Sequence, residues 1–229
     1  CDATAAEARA AAETLRLAEP VPAEDPVRAA EPAPSLEIAT FSSDATPPQG
    51  HPLCGGWIAP LSGVDDPLLS KGIVLRDAGG TYVLCVVDWC ELRNDAYDLF
   101  RTKLAEAAGT SPERVAVHTI HAHNAPITDR RAQELLSAEQ GAPVHADLAF
   151  LDAAAGRAAA ALKESLSRWQ AVTRIGLGKA KVERYASNRR VKGPDGKIRV
   201  RYSSSKDPFL QEAPEGLIDP WLRTIAFLS

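Results

Sequence analysis

The pattern of apolar and polar positions changes character several times along the chain. The stretch LEIATFSS, starting at Leu36, alternates as a half-buried strand does, and the turn-rich DATPPQGHPLCGGW after it has too much Pro and Gly for regular structure. KGIVLRD and TYVLCVVDW are β-branched apolar runs separated by Ala78-Gly79-Gly80, which predicts a hairpin of two adjacent strands. From Asp95 to Ala108 the positions Ala96, Leu99, Phe100, Leu104 and Ala107 form a helical stripe that Gly109 closes. Ser111-Pro112-Glu113 turns the chain into RVAVHTI, a further strand. A strand, a helix and a strand with a short return predict that RVAVHTI lies parallel to TYVLCVVDW in one sheet. A long Ala- and Leu-rich helix is expected from about Ala146 to Trp169, with Leu148, Leu151, Ala155, Ala158, Ala159 and Leu162 on its buried face. AVTRIGLGKAKVE, KGPDGKIRVRY around its PDG turn, and LRTIAFLS read as later strands. The pattern thus predicts an α/β fold: a mixed β-sheet with flanking helices.

Residues 1–35 differ from the rest. Asp2 to Ala18 is built of good helix formers but has only Leu15 and Leu17 to bury, and EPVPAEDPVRAAEPAPS reads as an extended, proline-rich linker. One folded domain is expected over 36–229. The chain has no methionine, begins at Cys1 and stops inside an alternating strand, so it is expected to be a piece of a longer protein. An amino-terminal cysteine followed by a polar tether is also the form of a lipid-anchored, exported domain.

Composition narrows the function classes. The chain is 45% apolar and 24% charged, as in ordinary globular proteins, and no apolar run is long enough to span a bilayer. Its 26 basic and 30 acidic side chains give a formal charge of -4, which offers no general attraction to nucleic acid. The four cysteines, at 1, 54, 85 and 90, lack zinc-ribbon spacing. Cys85 is expected in the core, and Cys54 and Cys90 can meet only if the fold brings them together.

Candidate chemistry concentrates in VAVHTIHAHNAP, which holds three of the five histidines. Strand alternation would put His121 and His123 on one face, able to converge on one ion, and His118 on the other, in the core with Ala116 and Ile120. The pair falls at the carboxyl end of a parallel strand, where open α/β sheets place their active sites. Asp88, ending the preceding strand, is expected either to hold an imidazole N–H or to cap the next helix. Arg189 and Arg190 read either as an anion site or as an exposed basic pair.

TIHAHNAP resembles the THTHSGP or THTHSAP motif of the neutral/alkaline non-lysosomal ceramidases and their bacterial relatives. FSSDATPPQGHPLCGGW, DDPLLSKGIVLRD and YVLCVVDW resemble successive elements of that family's amino-terminal domain. ASNRRV is similar to its N-R-S segment, and APEGLIDPWLRTIAF to the stretch before its next core strand, so the resemblance covers about residues 36–229. It implies a zinc-dependent amidase acting on a linear, N-acyl (lipid) amide. It further implies that His121 is a zinc ligand, that His123 assists beside it, that His51 lies near the substrate, and that the remaining ligands come from beyond Ser229. Asn188 and Arg189 match the N-R pair. Arg190 stands where the family has its serine nucleophile, and Ser187 precedes the pair, so Ser187, Asn188 and Arg189 are the catalytic candidates and Arg190 a substrate contact. The departure at Arg190 leaves a second reading open, a binding domain that keeps the fold without catalysis. An amidohydrolase-type barrel, which also opens on H-x-H, would need more strand-helix repeats than the chain contains.

Overall fold

The computed structural model describes residues 36–229; the Ala-rich leader, the linker and Cys1 lie outside the described residues. These residues fall into two compact units that divide between Thr173 and Arg174.

The first unit is built on a five-stranded sheet of β1 (Leu36–Asp44), β2 (Leu69–Asp77), β3 (Gly80–Val87), β5 (Val115–Thr119) and β7 (Gln170–Val172). The strand order is β5-β3-β2-β1-β7. β3 and β5 run parallel, with Val83 opposite Val115 and Val87 opposite Thr119, and the other pairs are antiparallel. The hairpin and the parallel return follow the sequence expectation. A second, short parallel pair, β4 (Glu91–Arg93) with β6 (Ile127–Asp129), has no counterpart in the hydrophobic pattern because each strand is only three residues long.

Three helices belong to this unit: α1 (Asn94–Ala108), α2 (Arg130–Ser137) and α3 (Leu148–Ser165). Gly109 ends α1 in the left-handed region at φ 65°, where its N–H closes onto Ala105 and Glu106 carbonyls. The carboxylates of Asp129 and Asp147 accept hydrogen bonds from the N–H groups of Ala132 and Phe150 and so cap α2 and α3, each worth about 1 kcal/mol. The second cap explains why α3 starts at Leu148 rather than Ala146.

Helices α1 and α3 cover one face of the sheet. Phe100 and Leu104 of α1, and Leu151, Ala154, Ala155, Ala158 and Leu162 of α3, meet Ala39, Phe41, Val74, Val83, Cys85, Val87, Val115 and Val117. The alanines let α3 approach closely. Burial pushes the Cys85 thiol up to about 12, so it stays a neutral core group. Gly72 is required in β2, since a Cβ there would overlap the Phe41 ring and come within 2.7 Å of the Leu84 carbonyl oxygen. Trp89 is fully buried, edge-on to Phe100 at 5.6 Å and tilted over Phe150 at 5.5 Å, and its indole N–H donates to the Ala45 carbonyl at 2.8 Å.

The other face of the sheet is exposed along β5. Ala116, His118 and Ile120 lie there, exposed, while Val115 and Val117 are buried. This corrects the expectation that His118 is a core residue: α1 packs against the valine face, so the opposite side of the alternation meets water. His118 instead lines a broad depression of about 830 Å³ together with Thr40, Lys71, Ile73 and Leu84.

In the second unit, β8 (Arg174–Lys181) pairs antiparallel with β11 (Trp221–Leu228), and β9 (Arg190–Lys192) with β10 (Ile198–Val200) around the PDG turn. α4 (Pro208–Glu212) is a short helix capped by Asp207. The single strand expected from Ala171 onward is therefore two, β7 and β8, in different sheets. Arg201 organises this unit: its guanidinium donates to the carbonyl oxygens of Asn188, Leu210, Ala213 and Pro214 at 2.6–3.2 Å.

Candidate metal centre

Parallel pairing of β3 and β5 brings their carboxyl ends side by side, so the residues that follow Val87 meet those that follow Thr119. Asp88 does not reach an imidazole or cap α1. Its carboxylate accepts from the Leu69 N–H at 3.0 Å and its own N–H donates to the Leu69 carbonyl, which seals the end of the β2–β3 ladder. Trp89 then anchors the chain in the core, and Cys90 and Glu91 emerge at the mouth.

Several backbone bonds fix this exit. The N–H of Cys90 donates to Pro126 O at 2.9 Å, that of Cys54 to Ala125 O at 2.8 Å, and the Thr119 hydroxyl to Cys90 O at 3.1 Å. The loop after β5, the 3-10 turn Cys54–Gly56 and the start of β4 are thereby tied together.

His121 does not continue the strand. Its φ is 60°, in the left-handed region that costs a non-glycine residue roughly 1–2 kcal/mol. The turn swings its ring over the β3 exit, where Nδ1 lies 3.3 Å from the Cys90 carbonyl, 3.7 Å from Cys90 Sγ and 3.6 Å from Glu91 Oε1. The rings of His121 and His123 stand edge to face, 5.2 Å between centroids. The two histidines are adjacent, as expected, but through a turn rather than through strand alternation.

Cys90, Glu91 and His121 are a group of three residues whose ligand atoms all lie within 4.8 Å of one another. Cys90 is 1% exposed, while His121 is open to solvent. Burial is the main reason the Cys90 thiol is pushed up to about 11; the adjacent Cys54 thiol, through its charge and its hydrogen bond, and Glu91 push the same way. The Cys54 and Cys90 thiols are therefore neighbours, both free. Glu91 is in turn paired with Arg93. An imidazole nitrogen, a thiol sulfur and a carboxylate oxygen suit a borderline divalent cation such as zinc, so the residues present fit the metal that the histidine motif suggests. Sequence reading singled out His121 and passed over Cys90 and Glu91. The signal was the parallel sheet itself, which makes the residues just after one strand neighbours of those just after the next.

His51 is 3% exposed. Its Nδ1–H donates to the Pro52 carbonyl at 2.7 Å, its Nε2 faces the Asp147 N–H at 3.5 Å, and its ring meets Phe150 edge-on. Burial pulls its pKa down, against the hydrogen bond to Pro52 and the charge of Asp147. A groove of about 550 Å³ is lined by Leu53, Ile58, Leu61, Asp65, Asp66 and Asn124 among others.

Ser187, Asn188, Arg189 and Arg190 belong to the second unit. Asn188 bridges two strands of chain there, donating to Leu217 O at 3.0 Å and accepting from the Arg190 N–H at 2.8 Å. Ser187, Arg189 and Arg190 are exposed.

No family model and no curated protein matches the sequence. Among solved structures, the fold is similar to the neutral ceramidase from Pseudomonas aeruginosa, with a TM-score of 0.57 and 15% identity, over 85% of this chain and 30% of that one. It is likewise similar to a ceramidase complexed with C2, with a TM-score of 0.58 and 16% identity, over 85% of this chain and 29% of that one. The chain thus spans less than a third of the length of the ceramidases it resembles. Among the described residues no helix is long and apolar enough to cross a membrane. The described residues form a mixed α/β fold that is similar to part of these neutral ceramidases.

Proposed function

We propose that this chain is the amino-terminal part of an exported, zinc-dependent hydrolase of the ceramidase-like kind, cleaving an amide or related N-acyl bond. The observation that carries the reading is the placement of His121 at the carboxyl end of a parallel strand in a ceramidase-type fold, with donor atoms of Cys90 and Glu91 beside it. Zinc, when bound, would polarise the scissile carbonyl and lower the pKa of a bound water. His121 is its ligand. His123, whose exposed ring stands 5.2 Å from that of His121, is proposed to take or return a proton at the reacting centre. The groove that reaches Asn124 has apolar walls at Leu53, Ile58, Leu61 and Leu68 and is also lined by Asp65 and Asp66; it is proposed to take the N-acyl part of the substrate. In addition to His123, Ser187, Asn188 and Arg189 are the proposed catalytic residues, and His51 and Arg190 the proposed substrate contacts.

The second reading, a binding domain without catalysis, is favoured by one feature: Arg190 occupies the position of the family's serine, and its backbone is tied to Asn188. Screening N-acyl amides, ceramides included, with the zinc-loaded protein separates the two. Chelator-sensitive release of fatty acid that is lost in His121→Ala supports the hydrolase. Zinc-bound protein without turnover on any N-acyl amide supports the binding domain.

A further inference from the structure

The resemblance to ceramidases leads one to look for the other metal ligands outside this chain. The β3 exit offers a different set. We propose that Cys90, Glu91 and His121 form a thiolate-containing zinc site within this chain, with Cys54 packed behind it as the residue that positions the Cys90 sulfur. This rests on the reading of His121 as a metal ligand and names its partners.

The distances support it. In a tetrahedral site with Zn–S of about 2.3 Å and Zn–N and Zn–O of about 2.0–2.1 Å, the S···N edge is about 3.6 Å and the N···O edge about 3.3 Å. Here the same Nδ1 atom of His121 lies 3.7 Å from Cys90 Sγ and 3.6 Å from Glu91 Oε1, and the ligand atoms of all three residues lie within 4.8 Å of one another, so side-chain adjustment would bring one ion within reach of all three. The ligands come from a rigid part of the fold. Cys90 and Glu91 follow the buried Trp89 and share the Pro126 carbonyl through their N–H groups. Among the described residues four non-glycines have positive φ, and two of them, Cys54 and His121, are in this cluster. Backbone strain of this kind clusters at functional sites.

Binding involves no change of oxidation state. The Cys90 thiol gives its proton to solvent as the S–Zn bond forms. The His121 ring moves its proton from Nδ1 to Nε2 and releases the Cys90 carbonyl. The Cys54 S–H is then free to donate to the Cys90 sulfur, as groups behind a ligand do. Arg93 keeps one oxygen of Glu91, leaving Oε1 for the metal. Three protein ligands would leave room for a water on the metal, as a catalytic zinc needs.

The test is spectroscopic. The chain is loaded with cobalt(II) in place of zinc, and its near-ultraviolet absorption is recorded for the native sequence, Cys90→Ser, Cys54→Ala and His121→Ala. A sulfur-to-cobalt charge-transfer band is expected in the native chain, absent in Cys90→Ser and lost together with binding in His121→Ala. In Cys54→Ala the band should persist with affinity weakened about 10-fold. X-ray absorption of the zinc form of the native chain guards against a variant that fails to fold: one sulfur scatterer at about 2.3 Å is expected. Cobalt bound through His121 with no thiolate band, and zinc with only nitrogen and oxygen neighbours, would overturn the proposal while leaving the hydrolase reading in place. No metal bound to the native chain in either experiment would overturn this site and remove its support from the hydrolase reading.

Discussion

Trp89 carries the chain from the sheet core to the candidate metal centre, and its replacement by Phe measures how much that anchor is worth. The indole N–H is the donor to the Ala45 carbonyl, and both groups are buried: Trp89 and Ala45 are each 0% exposed. Phe keeps an aromatic ring for the contacts with Phe100 and Phe150 but leaves the carbonyl without its partner. An orphaned buried acceptor costs about 1–3 kcal/mol. The smaller ring also leaves a void in a fully packed place, comparable to losing a methylene or two, which adds roughly 1 kcal/mol. Together Trp89→Phe should destabilise by about 2–4 kcal/mol. For a chain of this size each kcal/mol lowers the melting temperature by about 2–4 °C, so the midpoint should fall by roughly 4–16 °C. Thermal and urea unfolding followed by circular dichroism gives the number. Trp57 is the internal control: it is 89% exposed, and Trp57→Phe should stay within about 0.5 kcal/mol of the native chain. A loss below about 0.5 kcal/mol for Trp89→Phe would show that the indole is not held as described, and the rigidity argued for the Cys90 exit would lose its basis.

Two further predictions concern other parts of the fold. Burial depresses the His51 pKa below its ordinary 6.5, so the folded state holds fewer protons there than the unfolded chain. Its contribution to stability is therefore complete above pH 6.5 and is lost as pH falls below that toward the depressed folded value. Urea unfolding from pH 7.5 down to 5 should show stability falling, and His51→Gln should flatten that slope; an unchanged slope would mean that His51 is not the titrating group. In the second unit, Arg201→Met removes charge-assisted hydrogen bonds to four carbonyls and should destabilise the unit by about 2–4 kcal/mol. Amide exchange should then accelerate at Val191 and Arg199 in β9 and β10 while Val83 and Val117 in the large sheet stay protected.

Much of the fold could be read from periodicity because the elements are long and one-sided. β3 and α1 were legible for that reason, and Gly109 marked the end of α1 through a conformation that few other residues adopt. Short elements were not legible. β4 and β6 have three residues each and take their stability from backbone bonding to one another, which leaves no hydrophobic signature. α2 was passed over because its face is mostly polar and its start follows a Pro-containing loop, although Asp129 three residues before Ala132 is a usable cap signal. His118 was assigned to the wrong side because alternation gives two faces and does not say which one a helix will cover. For the site, the sequence singled out His121 by its motif. It did not offer Cys90 and Glu91, which are 31 and 30 positions upstream of His121 and join it through the parallel pairing of β3 with β5 and the left-handed turn at His121. A side chain's direction at such a turn is set by one backbone angle, and no pattern of apolar residues encodes it.

His121 is proposed to belong to a metal centre at the carboxyl ends of β3 and β5. Metal content by mass spectrometry, on the purified native protein and on His121→Ala prepared alongside it, tests this most directly. About one zinc per native chain and almost none in a folded His121→Ala is the expected result. Equal zinc in both, or none in either, would contradict the claim and leave VAVHTIHAHNAP as a structural turn of the fold.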